Sequence, residues 1–172
     1  PEWKAKAGAG TAVEWPTGVG AKGNEGVAGN VSQTKNSIGY VEYAYAKQNN
    51  LTYGAMVNKA GKTVQPTIGA FQAAASNADW AGAKNYYVIL TDQPGEASWP
   101  ITGATFILMH KTAEKPASSM ASLKFFDWAY KSGDAMAAEL EYVSLPANVK
   151  ELVRKQWGEI KEAGGKPVAA AQ

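Results

Sequence analysis

The residues that could do chemistry in this 172-residue chain begin with Gly18-Val19-Gly20-Ala21-Lys22-Gly23, a G-x-G-x-x-G loop ahead of a segment with helical character. Glycines at this spacing let a backbone approach a pyrophosphate at a helix N-terminus, and an acidic residue about 20 positions on would hold a ribose; Glu42 stands near that position. The motif alone implies a nucleotide-binding domain, or an enzyme, using the Gly18 to Gly23 loop with Lys22 on an anion. Trp15-Pro16 opposes that reading, because a ring and a missing amide donor stand where a buried strand should run into the loop. Gly26 and Gly29 loosen the receiving helix. The alternative is a tight strand-to-helix turn lining a cleft, with free amides and Lys22.

Other chemistry is poorly supplied. His110, the one histidine, lacks the partners of a metal site. Glu14, Asp92 and Glu96 have no spacing that pairs them as acid and base, and no serine has a positioned base. Cysteine is absent, which removes disulfides, thiolate metal ligands and cysteine nucleophiles. Arg154, the sole arginine, sits in a helical pattern and leaves little equipment for clamping an anion. The six tryptophans fall near turns or on helices, which favours packing over a sugar-stacking face. We expect no catalytic residue, metal or cofactor.

The elements that must position these residues are legible from patterning. Hydrophobic residues make up 45% of the chain and charged residues 19%, and 17 basic against 15 acidic residues are scattered along it, so a nucleic-acid-binding face is not expected. No apolar run approaches a membrane span. The first two thirds alternate strand and helix signals, which predicts an α/β arrangement. Strands are expected at Thr11 to Trp15, Ser37 to Tyr43 and, most clearly, Ile101 to His110; Tyr86 to Leu90 reads as strand or as a last helical turn. Asn24 is expected to cap a helix carrying Val27 and Val31, and a short helix follows over 44–49. Thr67 is expected to cap one carrying Ala70, Phe71 and Ala74. The last third reads as packed helices: Met120, Leu123, Phe126 and Tyr130 end at Gly133, Asp134 caps a shorter helix, and Pro146 opens one running through Val149, Leu152, Val153, Trp157 and Ile160 to Gly164-Gly165. The Ala-rich tail after Pro167 is expected to be disordered at its end.

Four long segments carry a resemblance. Trp15-Pro16-Thr17-Gly18-Val19-Gly20-Ala21-Lys22-Gly23-Asn24-Glu25-Gly26-Val27, Ser37-Ile38-Gly39-Tyr40-Val41-Glu42-Tyr43, Trp99-Pro100-Ile101-Thr102 with Thr105-Phe106-Ile107-Leu108, and Lys124-Phe125-Phe126-Asp127-Trp128-Ala129-Tyr130 resemble, in order, the periplasmic phosphate-binding protein of the bacterial phosphate ABC importer. Leu145-Pro146 and Gly165-Lys166-Pro167 continue it.

The resemblance implies a periplasmic, two-lobed α/β receptor, not an enzyme, that closes over inorganic phosphate and delivers it to an ABC permease in the membrane. It covers the C-terminal half of that family: residues 1–98 as an incomplete second lobe, 99–111 as a linking strand, and 112–172 as C-terminal helices belonging to the first lobe. The family's arginine-led ligand segment has no counterpart here, so no direct phosphate ligand is assigned; Gly18, Lys22 and Asn24 are candidates for lining the cleft. The chain begins at Pro1 without Met or a signal segment, which suggests a processed or trimmed chain. The expected partners are the missing N-terminal half or a second copy of the chain.

Overall fold

The computed structural model describes residues 2–10 and 12–168 and divides into two compact units, residues 1–52 and 53–172. Thr11 and the last four residues, with most of the Ala-rich tail, lie outside the described residues. Among the described residues no helix is long and apolar enough to cross a membrane.

In the first unit, helices α1 (Glu2–Lys6), α2 (Gly23–Gln33) and α3 (Tyr43–Gln48) are joined by segments without ladder pairing. The strands expected at Thr11 to Trp15 and Ser37 to Tyr43 are absent among the described residues. Both runs carry β-favouring residues, yet a strand exists only where a neighbour takes its backbone groups. Residues 37–42 instead lie along α2, where a Cβ built on Gly39 would come within 2.8 Å of Val31 and 2.9 Å of Val27. The expected helix over 44–49 is α3, in which Ala44 and Ala46 are buried.

The second unit holds two small sheets. Antiparallel β1 (Met56–Val57) and β2 (Thr63–Val64) pair Met56 with Val64; parallel β3 (Thr112–Ala113) and β4 (Lys161–Glu162) pair Thr112 with Lys161. Helix α4 (Ile68–Ser76) starts as expected, with the Thr67 hydroxyl accepting from the Ala70 amide at 3.2 Å. Helix α5 (Pro116–Ser132) has proline in its first turn and stops at Gly133, where a Cβ would stand 2.6 Å from the Ala129 carbonyl oxygen. Asp134 is not a cap: Gly133 holds that position, and Asp134 opens α6 (Asp134–Glu139) from within its first turn. Helix α7 (Ala147–Trp157) follows Pro146 and ends at Gly158, well before Gly164, because Lys161 and Glu162 leave the helix to pair with β3.

Two apolar clusters meet on α7. Val149 joins Ala75, Trp80 and Leu90, with Leu152 and Val153 against them; Trp157 packs on the second cluster of Ala113, Leu123, Ile160 and Val168. A polar seam ties the helices: Asp127 takes Arg154 Nε at 2.9 Å and Lys131 Nζ at 2.6 Å, while buried Lys150 donates to Asp134 at 2.6 Å and to the Tyr130 carbonyl at 3.0 Å. Hydrogen bonding from Lys131, joined by Arg154, holds the Asp127 carboxyl below the usual carboxylate range against a smaller opposing effect of burial. A depressed folded-state value adds stability that is complete above the unfolded-state pKa, near 4, and is lost as pH falls through the folded value. Denaturant titrations between about pH 5 and 2 should show this loss, and Asp127→Asn should flatten the pH slope. An unchanged slope in the variant would place the acid sensitivity elsewhere.

Between the clusters runs an incomplete β-ribbon. Thr91 bridges Ile101 in antiparallel sense, and the Asp92 amide donates to the Pro100 carbonyl at 2.8 Å. Burial then alternates on both arms: Val88 and Leu90 point inward with Thr102 and Ala104, while Tyr87, Ile89, Ile101 and Thr105 are exposed. Beyond the bridge, residues 102–110 form no ladder among the described residues, so the strand expected at Ile101 to His110 is reduced to the single bridge at Ile101. The Tyr86 to Leu90 run is likewise neither alternative in full; a 3₁₀ turn over Lys84–Tyr86 leads into ladder-free chain.

Candidate functional site

The glycine-rich loop of the first unit lies between an aromatic stack and the start of α2. Trp15 packs on Trp3 at 5.2 Å between ring centroids and on Tyr40 at 6.2 Å. Pro16 then turns the chain, and Gly18, at φ 106°, adopts a backbone conformation that a side chain would disfavour. A Cβ on Gly18 or Gly20 would meet nothing within 4 Å, so the loop stands open. Lys22 is the residue before α2 and makes no side-chain cap, leaving the first-turn amides without a side-chain acceptor from it.

Asn24 is not the cap expected of it. It lies inside α2, and its Oδ1 accepts from the Glu42 amide at 2.8 Å, fixing the loop that precedes α3. Beside it, Glu25 accepts from the Tyr45 hydroxyl at 2.8 Å. Its own backbone amide and that hydroxyl hold the Glu25 carboxyl below its ordinary range. The structure places Lys22 immediately before α2 and Asn24 inside its first turn, with Gly18 in the open loop ahead of them; Gly18 and Lys22 are exposed and Asn24 is half-buried. The role of Asn24 in positioning residue 42 was not legible from sequence, since a helix-start Asn reads first as a cap.

This geometry removes the frame that a dinucleotide fingerprint needs. Among the described residues no strand precedes the loop, none lies between α2 and α3, and Glu42 sits ahead of α3 rather than at a strand end. The remaining chemical candidates are dispersed. His110 is exposed, Glu96 pairs with Lys62 at 3.8 Å, Glu14 is exposed in the first unit, and Asp92 turns the ribbon loop at φ 53°. Among the described residues no three His, Asp or Glu side chains group as a metal site. Arg154 is committed to Asp127, with its guanidinium 5.6 Å over the Tyr130 ring. Trp80 and Trp99 are core residues, and Trp157 stacks on Tyr130 at 5.7 Å.

A feature that sequence reading missed is Asn58. Its buried side chain donates to the carbonyls of Gly95, Glu96 and Ser98 and accepts from the amides of Ala60 and Lys62. One amide thus fastens the β1–β2 turn to the loop at the head of the ribbon. Its only signal is the Asn-Lys-Ala-Gly turn, which carries no hint of the distant partner.

No family model matches the chain. Individual proteins do: it is 55% identical over 166 residues to the phosphate-binding protein PstS of Pasteurella multocida, covering 96% of this chain and 48% of that protein. It is 51% identical over 156 residues to the PstS of Haemophilus influenzae and 32% identical over 177 to that of Methanocaldococcus jannaschii. The chain spans about half the length of these relatives. Sustained identity above one half over nearly all its length places the chain in the PstS family of phosphate-binding proteins.

Proposed function

We propose that this chain is the C-terminal half of a periplasmic receptor that binds inorganic phosphate and delivers it to an ABC permease in the membrane. The observation that carries the reading is the 55% identity over 96% of the chain to a protein named for phosphate binding. In this reading residues 1–98 belong to the second lobe, 99–111 link the lobes, and 112–172 return to the first. Gly18, Lys22 and Asn24 line the cleft without being its direct ligands. The place of Lys22 and Asn24 at the α2 N-terminus supports this, because amides there favour an anion. The reading assigns no reaction to the chain.

The test is a chain completed with the remaining part of the Pasteurella multocida protein and titrated calorimetrically. A saturable one-site isotherm with phosphate, and no heat with a nicotinamide dinucleotide, is expected. Saturable dinucleotide binding without phosphate binding would overturn the proposal in favour of a nucleotide site at Gly18 to Gly23.

A further inference from the structure

We infer that the groove between α4 and α7 is a binding site for a small carboxylate carried on an apolar stem, separate from the glycine-rich loop. The inference rests on two cations of α7 that the fold leaves short of acceptors. Asp127 is divided between partners: Oδ2 takes Lys131 Nζ and Oδ1 takes Arg154 Nε, so the guanidinium is held by one bond and not by the parallel pair a carboxylate can accept. Arg154 Nη2 is left buried with no hydrogen-bond partner among the described residues. One turn earlier on the same helix, the Lys150 side chain is only 10% exposed. Its ammonium, with three N–H groups, has two acceptors, the Asp134 carboxylate and the Tyr130 carbonyl. Buried N–H groups of charged side chains are costly to leave unmet, and a water or a ligand oxygen is what ordinarily meets them.

Arg154 and Lys150 line one cavity of about 540 Å³ within the second unit. That volume lies in the range of small-molecule sites, about 300–1,000 Å³. Its other walls include Gly69 and Ala73 of α4 and Leu145 and Pro146 ahead of α7. Apolar walls beside two cationic donors suit a carboxylate with a short hydrocarbon or aromatic stem, the charge meeting the donors and the stem covering the walls. Exposed Glu151 borders the same cavity and repels a second negative charge, which favours a monocarboxylate over the phosphate dianion.

Benzoate titrated into the chain and followed by two-dimensional amide NMR, with benzamide as the uncharged isostere, tests the proposal. Saturable shifts confined to residues around the cavity are expected, with benzoate bound about tenfold tighter than benzamide. Gly69→Leu should weaken benzoate by about tenfold, because a Cβ at Gly69 would meet nothing within 4 Å and the added side chain enters the cavity's open space. Arg154→Lys, which keeps a positive charge for Asp127 but has no Nη2, should weaken it comparably, whereas Glu151→Gln should tighten it. Should Arg154→Lys fail to fold, Gly69→Leu and the benzamide comparison carry the test. Absence of saturable benzoate shifts, equal affinity for benzamide, or unchanged benzoate affinity in folded Gly69→Leu would each overturn the proposal.

Discussion

Trp80→Ala is expected to remove most of the stability of the second unit. The indole is buried in the cluster with Ala75, Leu90 and Val149, and its Nε1 donates to the Ala75 carbonyl at 2.7 Å, near the C-terminal end of α4. Truncating a buried tryptophan to alanine costs about 3–5 kcal/mol, through lost transfer energy and the cavity left behind. The Ala75 carbonyl keeps the Ala78 amide as a donor, so loss of the indole hydrogen bond adds only about 0.5–1.5 kcal/mol. A domain of this size has only about 5–15 kcal/mol in total. Urea unfolding followed by far-UV circular dichroism should show the midpoint collapse. Trp80→Phe, which keeps most of the volume and loses only the hydrogen bond, should fall between. An unfolding free energy for Trp80→Ala within about 0.5 kcal/mol of the parent would mean that the indole is not a core element.

Phosphate titrated into the chain by itself should give no saturable binding below about 1 mM, against micromolar or tighter binding by the completed receptor, a difference of at least about 4 kcal/mol. A small, strongly hydrated anion is captured only where several donors converge to replace its water, and a protonated phosphate also needs an acceptor. We expect the described residues to meet neither condition. The open loop offers amides and one cation, Lys22, and the guanidinium that would be the natural clamp is turned to Asp127. Calorimetry at low salt checks this, and a clear one-site isotherm would show that the cleft residues suffice alone.

Helices proved more legible in the sequence than strands, for a physical reason. Thr67 and Gly133 act within a few residues of themselves, so α4 begins and α5 ends where these residues and the apolar spacing predict. Strands depend on partners elsewhere. The β-like runs at 37–43 and 101–110 have the composition of strands but, apart from the Thr91–Ile101 bridge, no ladder partner within the described chain, whereas Lys161 and Glu162, in a region that reads as helix, are drawn out by pairing with residues 49 positions earlier. The candidate site was legible as a place, the glycine-rich turn before a helix. Its wiring through Asn24 to residue 42 was not, because the partner lies 18 residues away.

The position of α7 has a consequence for how the second unit comes apart. Val149 and Trp157 stand two turns apart on one rod, each seated in a different apolar cluster. Once the rod leaves, both clusters lose a wall. The unit is therefore expected to unfold in one concerted transition, without a half-molten intermediate. Damage at one end of the rod is felt at the other, so lesions in the two clusters combine non-additively although their side chains never touch.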